Sequence, residues 1–164
     1  MSLEYKKTYL LLGSNLGDSE LLLATAIKMI ETEVGKVFAK SAIYETAAWG
    51  KTDQPNFLNL ALGVETLLSP IELLNAVLAI EKKLGRVRDE KWGARLIDID
   101  VILYGNEVIN INETLNIPHV EMQNRKFVLQ PLAEIAPNYS HPTLKKTILQ
   151  LLQNLNDSLL VAKR

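Results

Sequence analysis

Two carboxylates interrupt an apolar run in Arg95-Leu96-Ile97-Asp98-Ile99-Asp100-Val101-Ile102-Leu103-Tyr104, and they stand two residues apart. In an extended chain alternate side chains share a face, so Asp98 and Asp100 point one way while Ile97, Ile99 and Val101 point the other. Like charges that close, at the edge of an apolar core, are costly unless one carboxyl is protonated or a cation neutralises both. Magnesium suits such a pair, because it takes one or two carboxylates and completes its octahedron with water and substrate phosphates. The plain alternative is a pair of aspartates that merely solvate the outer face of a half-exposed strand. The arginines weigh toward the cation. Only five of the 18 basic residues are arginine, and Arg86, Arg88 and Arg95 all lie in the segment that leads into the acids. A planar five-donor guanidinium is what bidentate phosphate recognition uses. Acids that hold metal, set beside arginines, describe a polyphosphate site.

That site has no nucleotide cradle of the common kinds. Gly13 and Gly17 are too close together for a P-loop and have no lysine after them, and no dinucleotide-binding glycine fingerprint occurs. A nucleotide must then be held by metal, arginines and a pocket. The chain has 164 residues, 48% of them hydrophobic, which suits one domain with a sizeable core. A net charge of -1 and a pI near 6.1 argue against a dedicated nucleic-acid surface. There is no cysteine, so any metal must use oxygen or histidine ligands. The first apolar run is far shorter than the roughly 18 residues of a membrane span and has no signal-peptide pattern around it, so a cytoplasmic place is expected.

Short strands and amphipathic helices alternate along the chain and must position these residues. Thr8 to Leu12 reads as a buried strand ending in the turn Gly13-Ser14-Asn15-Leu16-Gly17-Asp18. The next helix, capped by Asp18 or Ser19, carries an apolar stripe of Leu21, Leu22, Ala24, Thr25, Ile27, Lys28 and Met29 and runs to about Glu33. Val37 to Thr46 reads as a second strand and Phe57 to Thr66 as a third, joined by a long loop from Ala47 to Asn56. Ser69-Pro70, with Glu72 in the first turn, opens a helix whose stripe is Ile71, Leu74, Leu78 and Ile80, ending near Leu84 with Gly85 as its stop. A polar loop from Arg86 to Ala94 then enters the Asp98 strand. The order β-α-β-β-α-β is the ferredoxin-like plan, an α+β fold with an antiparallel sheet and helices on one face. A C-terminal extension follows: a short strand at Glu107 to Ile109, a helix from Asn124 to Glu134 and a last helix from Leu144 to Leu155.

Taken together, Gly13-Ser14-Asn15-Leu16-Gly17, Asp53-Gln54-Pro55-Asn56-Phe57-Leu58-Asn59, Gly85-Arg86-Val87-Arg88, Trp92-Gly93-Ala94-Arg95-Leu96-Ile97-Asp98-Ile99-Asp100 and Pro118-His119 through Asn124-Arg125-Lys126-Phe127 resemble the 6-hydroxymethyl-7,8-dihydropterin pyrophosphokinases of folate biosynthesis. The likeness spans about residues 8 to 155, within one domain over 1–164. It implies transfer of the terminal pyrophosphate of ATP to the hydroxymethyl group of a reduced pterin, with release of AMP. It implies, too, that Asp98 and Asp100 hold two magnesium ions and that Arg86 and Arg95 serve the phosphates in catalysis. Arg88 and Trp92 match a mobile nucleotide-side loop. Phe57 and Phe127 match the aromatics that sandwich the pterin, Asn59 the amide that reads its edge, and Thr46, Ala47 and Trp49 backbone groups that complete its recognition. His119 and Arg125 match nucleotide positions.

Two further residues keep a local alternative. Glu81 fits a nucleotide-side position, or else a helix-surface salt bridge with Lys82, Lys83 or Arg86. Asn15 falls in a pterin-side motif, and its turn-forming capacity is also a sufficient reason for it. His141, beside a proline, matches no role and is taken as structural. Three positions depart from the family pattern: Leu78 where a polar residue is usual, Thr114 where an arginine is usual and Val120 where an aromatic is usual. The partners implied are small molecules, ATP and the reduced pterin, with no nucleic acid, membrane or obligate protein partner. Other classes remain open at the level of fold, a small-ligand sensor or RNA-binding module, and a metal-dependent phosphohydrolase that turns the same acids on water.

Overall fold

Residues 4–47, 55–85, 96–157 and 159–164 are described by a computed structural model. In chain order its elements are β1 (Lys6–Ser14), α1 (Ser19–Glu33), β2 (Gly35–Lys40), β3 (Tyr44–Thr46), β4 (Phe57–Thr66), α2 (Pro70–Lys83), β5 (Asp98–Tyr104), β6 (Ile109–Ile111), β7 (Leu115–Ile117), α3 (Lys126–Ile135), α4 (Ile148–Asn154) and β8 (Val161–Lys163), with a 3-10 turn at Met122–Asn124. The main sheet runs β5-β1-β4-β3-β8, and β2 pairs with β4 beside β3. These pairings are antiparallel. The β-α-β-β-α-β plan is present, with β2 and β3 together in the place of one strand.

Period-two alternation decides which side of each strand meets which layer. Leu10 and Leu12 of β1, Leu58, Leu60, Leu62 and Val64 of β4, and Ile99 and Val101 of β5 form one core with Leu23, Ala26 and Ile30 of α1 and Leu73, Val77 and Ile80 of α2. The opposite side of the same strands, Tyr9, Leu11, Ala61 and Leu103, packs against Val128, Leu129 and Leu132 of α3 and Ile148 and Leu151 of α4. The C-terminal extension thus covers the face that α1 and α2 leave open. No helix among the described residues is long and apolar enough to cross a membrane.

Capping residues place the helix ends where local chemistry says. Asp18 Oδ1 accepts from Leu21 N–H at 3.1 Å. Ser69 and Glu72 form a reciprocal capping box on α2. Gly85, at φ +88, takes the left-handed conformation that ends the helix.

Several expectations need correction. The predicted stripes are turned: Leu21, Ile71 and Leu78 are exposed, while Leu23, Ala26, Ile30, Leu73 and Val77 are buried. Both helices are apolar around much of their circumference, so two phases of the 3.6-residue period fit the sequence. The second strand breaks at Ser41, whose Oγ replaces a backbone acceptor by taking Ala61 N–H at 2.9 Å. There the Ala42 N–H leaves the sheet for the carboxylate of Glu134, 3.1 Å away. The strand expected at Glu107 to Ile109 lies later, as the β6–β7 hairpin. The third and last helices begin later than expected, at Lys126 and Ile148. Thr147 and Gln150 form the box that starts α4, and residues 144–146 fold as a turn around His141.

Candidate active site

Strand register builds the site from residues far apart in sequence. Asp98 on β5 is opposite Gly13 on β1, Gly13 is opposite Asn59 on β4, and Asn59 is opposite Tyr44 on β3. Residues in register share a face, so Asp98, Asn59 and Tyr44 stand in one row on the side away from α1 and α2. Asp100 follows on the same face opposite Leu11, and Phe57 opposite Thr46. Two strand spacings, about 10 Å, separate the acids from Asn59. Gly13 leaves the floor between them clear. A Cβ there would come within 2.6 Å of Asn59 Oδ1, so the amide lies over the glycine. Tyr44 closes the row, its hydroxyl donating to Glu134 of α3 at 2.6 Å. Burial, reinforced by that carboxylate, pushes its phenol up to about 12, so the hydroxyl keeps its proton.

The acids open into a cleft of about 310 Å³ between β5, α2 and the β7 segment, lined also by Glu81, Leu115 and His119. Leu78, Thr114 and Val120, the three departures from the family pattern, all line this cleft. Glu81 is 2% exposed and its Oε2 accepts from Ile99 N–H at 2.7 Å. Glu81 is thus buried rather than on the helix surface; Lys83 pairs with Glu33 at 2.7 Å, and Arg86, the other partner considered, lies outside the described residues.

His119 follows a cis Ile117–Pro118 bond, and its backbone N–H donates to Ile102 on β5 at 3.0 Å. Its Nδ1 accepts from Glu121 N–H at 3.2 Å, which assigns the proton of the neutral ring to Nε2. Burial lowers the imidazole below its usual 6.5 and the positive charge of Arg125 lowers it further, against the pull of Glu121 and Asp98. A neutral ring with Nε2–H to donate is suited to a phosphate oxygen. Arg125 is exposed, with its guanidinium 5.8 Å from the centre of the Phe127 ring. Phe127 begins α3 and packs against the core on the Asn59 face.

Asn15 is 2% exposed, and its Nδ2 donates to Pro55 O at 3.2 Å. That bond crosses from the end of β1 to the approach to β4, so Asn15 joins two segments as well as shaping a local turn. Thr46 is buried, whereas Ala47 is exposed. Trp49, Arg86, Arg88, Trp92 and Arg95 lie outside the described residues. His141 is structural, its Nδ1 accepting from Thr143 and Leu144 N–H at 3.1 and 3.0 Å. Gly13 and Tyr44 were missed as site residues, although a glycine inside a strand already signals close approach.

Among the described residues no group of three or more His, Cys, Asp or Glu side chains forms a self-contained metal site. Two strand carboxylates on one face fit magnesium, whose other positions go to water and substrate phosphates.

The sequence has relatives among known proteins. Residues 9–137 match the family model described as 7,8-dihydro-6-hydroxymethylpterin-pyrophosphokinase (HPPK). The 2-amino-4-hydroxy-6-hydroxymethyldihydropteridine pyrophosphokinase of Methylorubrum extorquens is 48% identical over 133 residues, 80% of this chain and 84% of that one. The protein of the same name from Aquifex aeolicus is 44% identical over 142 residues, 85% of this chain and 86% of that one. In fold, the chain is similar to wild-type HPPK-DHPS of Plasmodium falciparum, crystallised with pterin and p-hydroxybenzoate, with a TM-score of 0.74 at 19% identity. That likeness covers 93% of this chain and 42% of the other, so this chain spans less than half of the solved one. From the matched residues and the identities to these relatives, the chain belongs to the 7,8-dihydro-6-hydroxymethylpterin-pyrophosphokinase family.

Proposed function

We propose that the row from Asp98 across Gly13 to Asn59 is the floor on which pyrophosphate passes from ATP to the hydroxymethyl group of 6-hydroxymethyl-7,8-dihydropterin. The reaction follows from the family: the chain is an ATP-dependent diphosphotransferase of folate synthesis. The observation that carries the placement is the register, which sets Asp98 and Asn59 two strands apart on one face with only a glycine at the position between them, the Asn59 amide lying over that glycine toward the acids.

In this reading Asp98 and Asp100 hold magnesium, two ions in all, with the phosphates of ATP. Bound there, magnesium would clamp the polyphosphate and neutralise charge that develops on its oxygens. His119 donates Nε2–H to a phosphate, and Arg125 reaches the triphosphate or ribose. Arg86 and Arg95 steady the phosphates and the departing AMP, while Arg88 and Trp92 belong to the nucleotide side. On the far side of Gly13, Asn59 hydrogen-bonds the pterin edge and Phe57 and Phe127 cover its faces. Thr46, Ala47 and Trp49 add backbone contacts, and Asn15 holds the approach to β4. Catalysis is then positioning and electrostatics, with the pterin hydroxyl held in line with the β-phosphorus. We read 1–164 as one pyrophosphokinase domain that acts in the cytoplasm on small molecules without an obligate protein partner.

The test is incubation with ATP, magnesium and the reduced pterin alcohol. AMP and the pterin diphosphate should form together, and only when pterin is present. Equal AMP release without pterin would make the protein a phosphohydrolase and end the assignment.

A further inference from the structure

Among the described residues β5 is an edge strand of the main sheet, and its outer side faces no further strand of that sheet. Ile99, the residue between the two acids, solves this through a side chain from another element. Its N–H donates to Glu81 Oε2 at 2.7 Å, across 18 residues of sequence. Glu81 sits in α2 at 2% exposure, unusual for a carboxylate, and a charge held that deep needs specific partners. The bond also comes at the start of the strand. β5 begins at Asp98, and strand ends fray unless they are tied down.

We propose that Glu81 is a positioning residue for the acid pair. By taking the Ile99 N–H it fixes the backbone between Asp98 and Asp100, and so the direction in which both carboxylates meet a cation. The inference rests on the reading of these two acids as the magnesium ligands, and it replaces direct nucleotide contact as the role of Glu81. In an extended strand the two aspartate Cα atoms are about 6.6 Å apart, and added twist at a loose strand end would turn their side chains away from a common ion. Charge-assisted hydrogen bonds to backbone N–H are among the stronger ones, which suits a tether of this kind.

The probe is Mn2+, titrated by water-proton relaxation in the presence of α,β-methylene-ATP, with affinity for the same nucleotide measured separately in EDTA. Glu81→Leu should weaken Mn2+ at least tenfold and leave metal-free nucleotide affinity within twofold. Glu81→Gln keeps a carbonyl acceptor and should hold Mn2+ within threefold, while the weaker bond speeds exchange of the Ile99 amide proton. Equal losses of metal and nucleotide in Glu81→Leu would make Glu81 a nucleotide ligand and overturn the proposal, as would unchanged Mn2+ binding. If Glu81→Leu does not fold, Glu81→Gln decides: an Ile99 amide that exchanges as in wild type overturns the tether. Asp98→Ala, measured alongside, separates the two levels. Retained Mn2+ affinity there overturns the acid-pair reading itself, whereas loss there with retention in Glu81→Leu overturns the positioning role alone.

Discussion

The two faces of β4 are made from one run of residues and put to different ends. Leu58, Leu60, Leu62 and Val64 seal against α1 and α2, while Phe57, Asn59, Ala61 and Gly63 look the other way, toward the acids' side of the sheet. The sealed face gains from burial, and its residues are interchangeable with others of similar volume. On the other face Ala61 packs under α3 and α4, but the end near the acids depends on identity and register: an amide beside a glycine, beside an acid. The contrast predicts that damage to one face appears as lost stability and damage to the other as lost chemistry.

The strongest challenge is to the acids. Asp98→Ala or Asp100→Ala should cut pyrophosphate transfer by on the order of a thousandfold, since charge stabilisation at the phosphates is removed. Their thermal melting should stay within a few degrees of wild type, because crowded acids gain nothing from each other without a cation. Turnover within threefold of wild type in either variant would remove the metal assignment.

Leu62→Ala tests the other face. Leu62 is fully buried, and the truncation should cost about 2–5 kcal/mol by denaturant unfolding. Its kcat per folded molecule should remain within twofold. A catalytic loss without a stability loss would show that the two faces are not separable.

Gly13→Ala lies between these cases. The added methyl would meet Asn59 Oδ1 at 2.6 Å, and one of the two must move. Pterin KM should rise about tenfold, equivalent to about 1.4 kcal/mol, with little change for ATP. Asn59→Ala should give the same pattern, and equal losses for both substrates would place Asn59 elsewhere in the site.

How far the sequence shows these features depends on how local their causes are. Asp98 and Asp100 are legible because a period of two is a property of any strand. The caps at Asp18 and Ser69 are legible because each acts within three residues. The floor at Gly13 is only half legible: a glycine in a strand signals close approach, but that Asn59 fills the gap depends on pairing across 46 positions of chain. The break at Ser41 comes from a hydroxyl that reaches Ala61, and β8 exists only because Val161–Lys163 finds the edge of β3. A surface position for Glu81, one of its two readings, follows from a helix phase that puts Ile71 and Leu78 inward. In the correct phase it follows Leu73, Val77 and Ile80 onto the buried side.

A smaller effect checks the nucleotide side. His119 titrates below 6.5 first because it is buried and then because Arg125 is near. Arg125→Ala should therefore raise the imidazole pKa, read from its ring C–H protons by NMR. The sign for stability follows: the unfolded ring binds more protons, so His119 lowers stability as pH falls from about 6.5 through its folded value and is neutral in effect above that. A drop in the His119 pKa in Arg125→Ala would mean that the two groups do not face each other.

The site requires that the acids and Asn59 share one floor. Paramagnetic broadening by Mn2+, bound with α,β-methylene-ATP to the isotope-labelled protein, measures this directly. Signals of residues 98–100 should vanish first, and the Asn59 side-chain amide, which lies over Gly13 beside Asp98, should broaden strongly, while Lys36, paired with Glu65 at the opposite end of the sheet, broadens least. Broadening that spares Asn59, or that centres away from β5, would contradict the site described here.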